Sequence, residues 1–348
     1  MAAERAARTL RRVQERIRST GWLRSRLQSG RRVEEARQEA APPELPRSSR
    51  YDPWLGTLFG KELGALDAAC AKRGRGALEL FRGLGDDLWA VLLSGEYTLY
   101  PNIRAVLPAM PEESIQRQWN GWTGIKLLAE GRAFYARVRE LHRAHSPVGL
   151  TESTVLDFGC GWGRTTRFFA RDVGPDSLFG CDPVERILDV CERTRVPATF
   201  ARSDFVPAEL PFETRFDLVF AFSVFTHLSE PAHRACLRAI HASLEPGGLL
   251  VLTVRPPAYL AHCERMRPLL ESLGSDYLAA LGEPRYLFVP HPADRDHPQF
   301  HGAEMSYGET VVSLAYVRRH WEELFELLDV SLLTEDLHQV VLALRRRD

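Results

Sequence analysis

The feature that most constrains this chain is residues 155–164, where an apolar run ends in an acid and then in three glycines. The stretch reads VLDFGCGWGR, so Gly159, Gly161 and Gly163 stand at alternate positions. Such a pattern predicts a buried strand that stops, turns tightly and enters a helix. Glycine tolerates positive φ and lets a ligand lie on the main chain, above the N-terminus of the next helix. We therefore predict a small-molecule binding loop.

Strand and helix patterns alternate after this loop, as an open parallel sheet requires. Strands are predicted at 154–158, 178–181, 198–201, 216–222 and 249–254, with helices at about 164–171 and 231–243. The sequence LEPGG at 244–248 predicts a turn before the last of these strands. The pattern indicates an α/β fold.

An acid closes the second predicted strand. Asp182 lies 19 residues beyond Gly163, where a carboxylate can accept both ribose hydroxyls of a nucleoside. That interpretation suits NAD or S-adenosylmethionine, and a turn-capping Asp before Pro183 is the alternative. The dinucleotide fingerprint G-x-G-x-x-G is broken by Arg164, which disfavours a nicotinamide oxidoreductase.

The sequence resembles the class I S-adenosylmethionine-dependent methyltransferases in four features. These are the glycine loop preceded by Asp157, the acid at 182, the strand at 216–222 and the LEPGG turn. The resemblance covers about residues 150–255, with a weaker tail to the C-terminus. It implies a doubly wound, mostly parallel seven-stranded sheet of the class I methyltransferase type. The family pattern would be completed by an antiparallel pair over 327–333 and 338–344.

The resemblance implies S-adenosylmethionine as the cofactor. The cofactor-binding residues we predict are Asp157, Gly159, Gly161, Gly163, Asp182, Asp204, Phe205 and Ser223. Of these, Asp204 is expected to contact the adenine amino group, and Phe205 is expected to pack on the ring.

Methyl transfer is an in-line displacement, and a hydroxyl acceptor must also lose a proton. We predict His227, just past the fourth strand, as the general base; the alternative is that His227 caps the next helix or bonds a backbone carbonyl. His291, His297, His301 and Glu304 form a second set, of which His301 is the catalytic candidate.

The end of the fourth strand narrows the choice of acceptor. No Asn/Asp-Pro-Pro-aromatic motif occurs there, which makes methylation of a nucleic-acid base unexpected. A hydroxyl on a small molecule or glycan is our leading hypothesis, and a peptide or protein amine is the second. A non-catalytic S-adenosylmethionine-binding module stays open as a third.

Three histidines and two aspartates fall within residues 291–301, HPADRDHPQFH. Oxygen and imidazole ligands suit Mg²⁺, Mn²⁺ or Zn²⁺. The spacing matches no recognised ligand motif, and the two prolines favour an extended loop. We therefore predict metal-independent transfer, with His297 or His301 contacting the acceptor.

Three segments are predicted along the chain. Residues 1–46 form a basic helical arm with a Pro-rich linker, 47–146 a helical cap or lid, and 147–348 the cofactor-binding domain with an insertion at 255–308 that shapes the acceptor pocket. In the cap, Trp119, Trp122 and Thr123 are lid candidates. Pinning of the cap to the main domain by these aromatics is the alternative.

Charge is distributed unevenly in this chain of net charge −1. Residues 1–32 carry about +8 and the remainder about −9, and the acidic bulk argues against a nucleic-acid partner. The arm is interpreted as contacting an acidic membrane surface or partner, as a solvated arm, as a helix lying on the protein's own acidic body, or as a transit segment. Six cysteines without a C-x-x-C pair and the lack of a membrane-spanning run predict a cytoplasmic protein.

Overall fold

The computed structural model describes residues 47–74, 77–274, 282–298 and 304–348. The predicted basic arm, residues 1–46, lies outside the described residues. Across the described ranges, no helix is both long and apolar enough to cross a membrane. All six cysteines fall within these ranges and are unpaired; five are buried and Cys263 is partly exposed.

In the part of the chain that the structure describes, seven strands form the main sheet and two form a separate antiparallel ribbon. The strands are β1 Val155–Phe158, β2 Leu178–Asp182, β3 Thr199–Arg202, β4 Phe216–Ala221, β5 Leu244–Val254, β6 Tyr286–Pro290, β7 Gly308–Val312, β8 Phe325–Leu332 and β9 Val340–Arg346. The main sheet has the order β3-β2-β1-β4-β5-β9-β8, and β6 pairs with β7. Strands β1 to β5 pair in parallel, whereas β9 runs antiparallel to β5 and β8. The predicted seven-stranded, mostly parallel sheet and its closing antiparallel pair are confirmed.

The central strand β1 is buried along its whole length, which explains its unbroken apolar sequence on either side of Asp157. Val155 packs into the core that contains the N-terminal helices, and Leu156 packs into the core on the other face of the sheet. Helices therefore cover both faces. Because β1 lies between β2 and β4, the strand order reverses direction there, and a ligand crevice is expected at the carboxyl ends of β1 and β4.

The helical extension predicted before the sheet is confirmed. The helices of the described chain are α1 Asp52–Leu58, α2 Gly60–Arg73, α3 Asp86–Ser94, α4 Pro101–Val106, α5 Glu113–Asn120, α6 Gly124–His145, α7 Thr166–Phe169, α8 Glu185–Arg193, α9 Glu230–Ser243, α10 Arg267–Leu273 and α11 Leu314–His320. Phe134 of α6 stacks on Phe222 just past β4, with ring centroids 4.4 Å apart. Residues 48–348 form one compact unit, and its division into a cap and a cofactor domain stays a prediction.

Two local predictions are wrong in detail. Helix α7 begins two residues later and ends two residues earlier than the predicted helix at 164–171, because the residues on either side of it form turns. The LEPGG segment lies within β5 as an irregularity, and the β4–β5 register shifts between Phe216 and Leu218. Gly247 there has φ of 72°, so the residues expected to turn instead bend a continuous strand.

The insertion is joined to the segment after β4 by main-chain hydrogen bonds. The Gly308 amide donates to the His227 carbonyl at 2.7 Å, and the Thr310 amide donates to the Thr226 carbonyl at 2.9 Å. An isolated antiparallel bridge pairs Leu228 with Tyr307. Strand β7 therefore fixes the position of the loop that leaves the carboxyl end of β4.

Candidate active site

The three glycines of the loop after β1 all have positive φ, but their surroundings differ. A Cβ on Gly159 would lie 2.4 Å from Val224, and one on Gly163 would lie 3.1 Å from Val196. A Cβ on Gly161 would meet nothing closer than 3.9 Å. Gly161 therefore leaves its main chain open to a ligand, whereas Gly159 and Gly163 are required for close packing.

Two buried carboxyl groups flank the glycine loop. The Thr166 hydroxyl donates to Asp157 at 2.6 Å, and burial raises the pKa of Asp157 to about 7 although that bond opposes the shift. Asp182 accepts from the Gly161 amide at 3.0 Å and from the Val184 amide at 2.9 Å. Burial raises the pKa of Asp182 to about 6, against the effect of these two bonds. Asp182 is therefore mostly ionised at neutral pH and keeps lone pairs for further donors.

A cavity of about 400 Å³ opens above the carboxyl ends of β1 and β4. It brings together most of the residues that the sequence predicts, namely Asp157, Gly159, Gly161, Asp182, Asp204, Phe205, Ser223 and His227. Gly163 does not belong to the lining, so its packing against Val196 replaces the predicted ligand contact. His301 lies outside the described residues.

At the glycine-loop end of the cavity, the lining includes Asp182, Asp204 and Phe205. Asp204 is exposed and Phe205 is half-buried. His297 faces this end, with its ring centroid 6.3 Å from that of Phe205 and 6.4 Å from that of Trp119. Aromatic surface from three separate segments therefore surrounds this part of the cavity.

At the strand-four end, His227 is a neutral imidazole with a fixed orientation. Its Nδ1 lies 2.8 Å from the Gly308 carbonyl oxygen, so Nδ1 carries the proton and donates it to that bond. Burial, together with the charge of Arg255, lowers the pKa of His227 to about 4. The unprotonated Nε2 lies 3.5 Å from an Arg255 Nη.

Ser223 also lies at the strand-four end, with a backbone φ of 62° that is uncommon for a residue other than glycine. Its amide donates to the Thr253 hydroxyl at 2.8 Å, and its own hydroxyl accepts from the Gln339 side chain at 3.0 Å. The other amide atom of Gln339 is buried without a hydrogen-bond partner among the described residues. Ser223 is therefore held by contacts to β5 and to the segment before β9.

Several lining residues were missed by the sequence reasoning: Glu130, Arg255, Tyr307, Asp336 and Gln339. Arg255 had a usable signal, because it directly follows an apolar strand whose carboxyl end faces the crevice. The others come from a helix, the insertion and the segment before β9, and only tertiary pairing places them. Arg164, noted in the sequence only as a break in the glycine pattern, donates to Glu130 at 3.2 Å.

The predicted second histidine set is divided by the structure. His291 lies 3.1 Å from the Glu309 carboxylate and outside the cavity lining. His297 lines the cavity and stacks on Tyr307, with ring centroids 3.7 Å apart. Glu304 is exposed. Among the described residues, no three His, Cys, Asp or Glu side chains are placed to hold a metal ion together.

Of the three lid candidates, Trp119 and Trp122 line the cavity. Thr123 is absent from the lining and occupies the position directly before α6. Asn120, between the two tryptophans in the chain, accepts from the Trp162 indole at 2.8 Å. This bond ties the end of α5 to the glycine loop.

The sheet order and the position of the cavity define the class I methyltransferase fold. Residues 155–248 match the family described as "Methyltransferase domain". Together, the sheet order and this match identify a class I S-adenosylmethionine-dependent methyltransferase domain in the chain, for which S-adenosylmethionine is the cofactor.

The residues present fit that cofactor. The uncovered main chain at Gly161 admits close approach, and the ionised Asp182 is an acceptor suited to ribose hydroxyls. The aromatic surface of Phe205 and His297 suits an adenine ring.

Curated relatives carry the name carboxy-S-adenosyl-L-methionine synthase. The protein of Aliivibrio fischeri strain MJ11 is 26% identical over 197 residues, which cover 54% of this chain and 72% of that protein. The protein of Vibrio atlanticus strain LGP32 is 26% identical over 196 residues, with the same coverage of 54% and 72%.

Solved structures with a similar arrangement include a 1,6-didemethyltoxoflavin-N1-methyltransferase of Burkholderia thailandensis. It is 19% identical, covers 76% of this chain and 92% of its own, and gives a TM-score of 0.43. A methyltransferase of Clostridium acetobutylicum is 11% identical, covers 62% and 92%, and gives a TM-score of 0.42. The fold assignment depends on the sheet order of this chain.

Proposed function

We propose that the protein transfers the methyl group of S-adenosylmethionine to a hydroxyl of a small-molecule or saccharide acceptor. In this proposal the glycine-loop end holds the cofactor and the strand-four end holds the acceptor. The observation that carries the proposal is His227, a neutral imidazole that lines the cavity and keeps its Nε2 unprotonated.

S-adenosylmethionine supplies an electrophilic methyl group on a positively charged sulfur. The chain's own part is to position the acceptor and to receive its proton. With a pKa of about 4, His227 is unprotonated throughout the physiological range. It is a weak base toward a free hydroxyl, but a hydroxyl oxygen that is being methylated becomes strongly acidic. Proton transfer to Nε2 is therefore favourable late in the reaction, when it is needed.

The hydrogen bond to Gly308 defines a matched pair of variants. In His227→Asn the side-chain NH₂ takes the place of Nδ1 and keeps the bond to the carbonyl, but no Nε2 equivalent remains. In His227→Gln the side chain reaches the Nε2 position instead. We expect the Asn variant to lose about 10²–10⁴-fold in turnover, with unchanged affinity for S-adenosylhomocysteine and an unchanged melting temperature. The Gln variant, which can still accept a hydrogen bond, should lose less.

The acceptor class is tested by incubating the enzyme with isotopically methyl-labelled S-adenosylmethionine and a panel of monosaccharides, phenols and short peptides. The proposal expects S-adenosylhomocysteine and a methyl ether in equal amounts by mass spectrometry. A methylated amine would favour the alternative of a peptide or protein acceptor. Cofactor binding without turnover would indicate a non-catalytic module, and a carboxylated cofactor would indicate the chemistry for which the Aliivibrio relative is named.

A further inference from the structure

We propose that the acceptor carries a carboxylate or another compact anion, and that Arg255 is the residue that binds it. This inference rests on the proposed function, because it places the acceptor at the strand-four end of the cavity. Arg255 directly follows β5, lines the cavity, and has a side chain that is only 12% exposed.

The guanidinium of Arg255 is held in place but is incompletely hydrogen-bonded. It lies over the Tyr259 ring, 3.9 Å from the ring centroid, and Nε lies 3.4 Å from a Glu309 carboxylate oxygen. That contact does not meet hydrogen-bond geometry, and the buried Nε has no hydrogen-bond partner among the described residues. One Nη atom lies 3.5 Å from His227 Nε2. An arginine has five N–H donors, so this one keeps donors for a ligand.

The Glu309 carboxylate contacts other side chains besides Arg255. It also accepts from the Tyr259 hydroxyl at 3.2 Å and lies 3.1 Å from His291. The other cation that lines the described cavity, Arg164, differs because it donates a hydrogen bond to Glu130 at 3.2 Å. Arg255 is therefore the lining cation best able to accept a new anionic partner, and a guanidinium binds a carboxylate through two parallel bonds.

The geometry also gives such an anion a role in the reaction. The Arg255 charge is one of the causes that lower the pKa of His227. An anion bound to Arg255 would offset that charge and make Nε2 a better proton acceptor. The same contact would place the rest of the acceptor beside His227, 3.5 Å from the guanidinium.

The test uses benzoate and its uncharged isostere benzamide, each titrated by calorimetry into the protein saturated with S-adenosylhomocysteine. We expect the wild type to bind benzoate at least ten-fold more tightly than benzamide. Arg255→Gln should abolish this preference, and Arg255→Lys should keep part of it because the charge remains without the planar fork. Arg267→Gln, in the same insertion with a side chain that is 64% exposed, is the control and should behave as the wild type does.

A carboxylate is also present on the cofactor, and the same experiment separates the two sources. If Arg255 binds the acceptor, Arg255→Gln keeps the affinity for S-adenosylhomocysteine within two-fold; a ten-fold loss would assign Arg255 to the cofactor and overturn the proposal. Equal binding of benzoate and benzamide by the wild type, or binding of neither, would also overturn it. A wild type that fails to bind S-adenosylhomocysteine would contradict the proposed function itself.

Discussion

At the scale of single residues, the burial of an acidic side chain in the site has a cost to the stability of the fold. Asp157 is 2% exposed, and its charge is opposed by burial. In the unfolded chain an Asp ionises near pH 3.9, whereas in the fold the pKa is about 7. The folded state therefore binds this proton more tightly, so the contribution of Asp157 to stability is greatest below about pH 4 and is lost as pH rises to 7.

Asp157→Asn should raise the melting temperature at pH 8 and raise it less at pH 5. At pH 8 the wild type must keep a buried charge, and Asn removes that charge while it can still accept from Thr166. At pH 5 the folded wild type is already protonated, so less is gained. Calorimetric melting of both proteins at the two pH values measures the difference. An equal change at both pH values would show that the ionisation of Asp157 is not its cause.

Distance along the chain explains which site residues could be predicted from the sequence. Asp157, Gly161 and Asp182 lie at strand ends within one βαβ unit, so spacing alone brings them together. Gln339 and Tyr307 reach the same cavity from segments far along the chain, and no periodicity in the sequence encodes that approach. His227 was placed correctly at the cavity, but its bond to Gly308 depends on the pairing of the insertion with the loop after β4.

At the scale of elements, an ion pair fixes the insertion segment 291–298 to the start of α8. Arg186 and Asp296 form paired hydrogen bonds between guanidinium and carboxylate. The neighbouring His297 stacks on Tyr307 and lines the cavity. The ion pair therefore holds one side of the site at the glycine-loop end.

Arg186→Gln should increase the dissociation rate of S-adenosylhomocysteine several-fold, because His297 would lose its fixed position. Asp296→Asn should have a similar effect, and the double variant should be no worse than either single one, since both remove the same interaction. Arg193→Gln, an exposed position at the end of the same helix, serves as the control. Stopped-flow displacement provides the measurement, and additive effects in the double variant would contradict a shared contact.

Whole-sheet architecture was the most predictable level, because each parallel strand is a local apolar run and the crossovers follow a fixed handedness. The strand–helix alternation and the family resemblance were sufficient for the mostly parallel seven-stranded sheet and its closing antiparallel pair, and the strand order came from the structure. The insertion was recognised by its length and by its histidines, acids and aromatics. Its ribbon of Tyr286–Pro290 and Gly308–Val312 joins distant segments, and such pairing cannot be read from either segment alone.

At the scale of the whole molecule, cofactor binding should stabilise the fold by linkage. S-adenosylhomocysteine at about 100 times its dissociation constant is expected to add about 2.7 kcal/mol to the free energy of unfolding, which corresponds to several degrees in melting temperature. NADH at the same concentration should produce no shift. A shift with NADH and none with S-adenosylhomocysteine would contradict the assigned cofactor.

The two ends of the cavity draw most of their residues from different stretches of the chain, although His297 of the insertion also faces the glycine-loop end. The glycine-loop end draws Gly161, Asp182 and Phe205 from the first three strands and the segments after them, whereas Arg255 and Tyr307 belong to the insertion. The pairings among β1, β2, β3 and β4 involve no residue of 255–308. Under the proposed function, natural variation in the insertion can exchange the methyl acceptor while the glycine loop and Asp182 are inherited unchanged, provided that His297 and the ion pair of its neighbour Asp296 with Arg186 are kept.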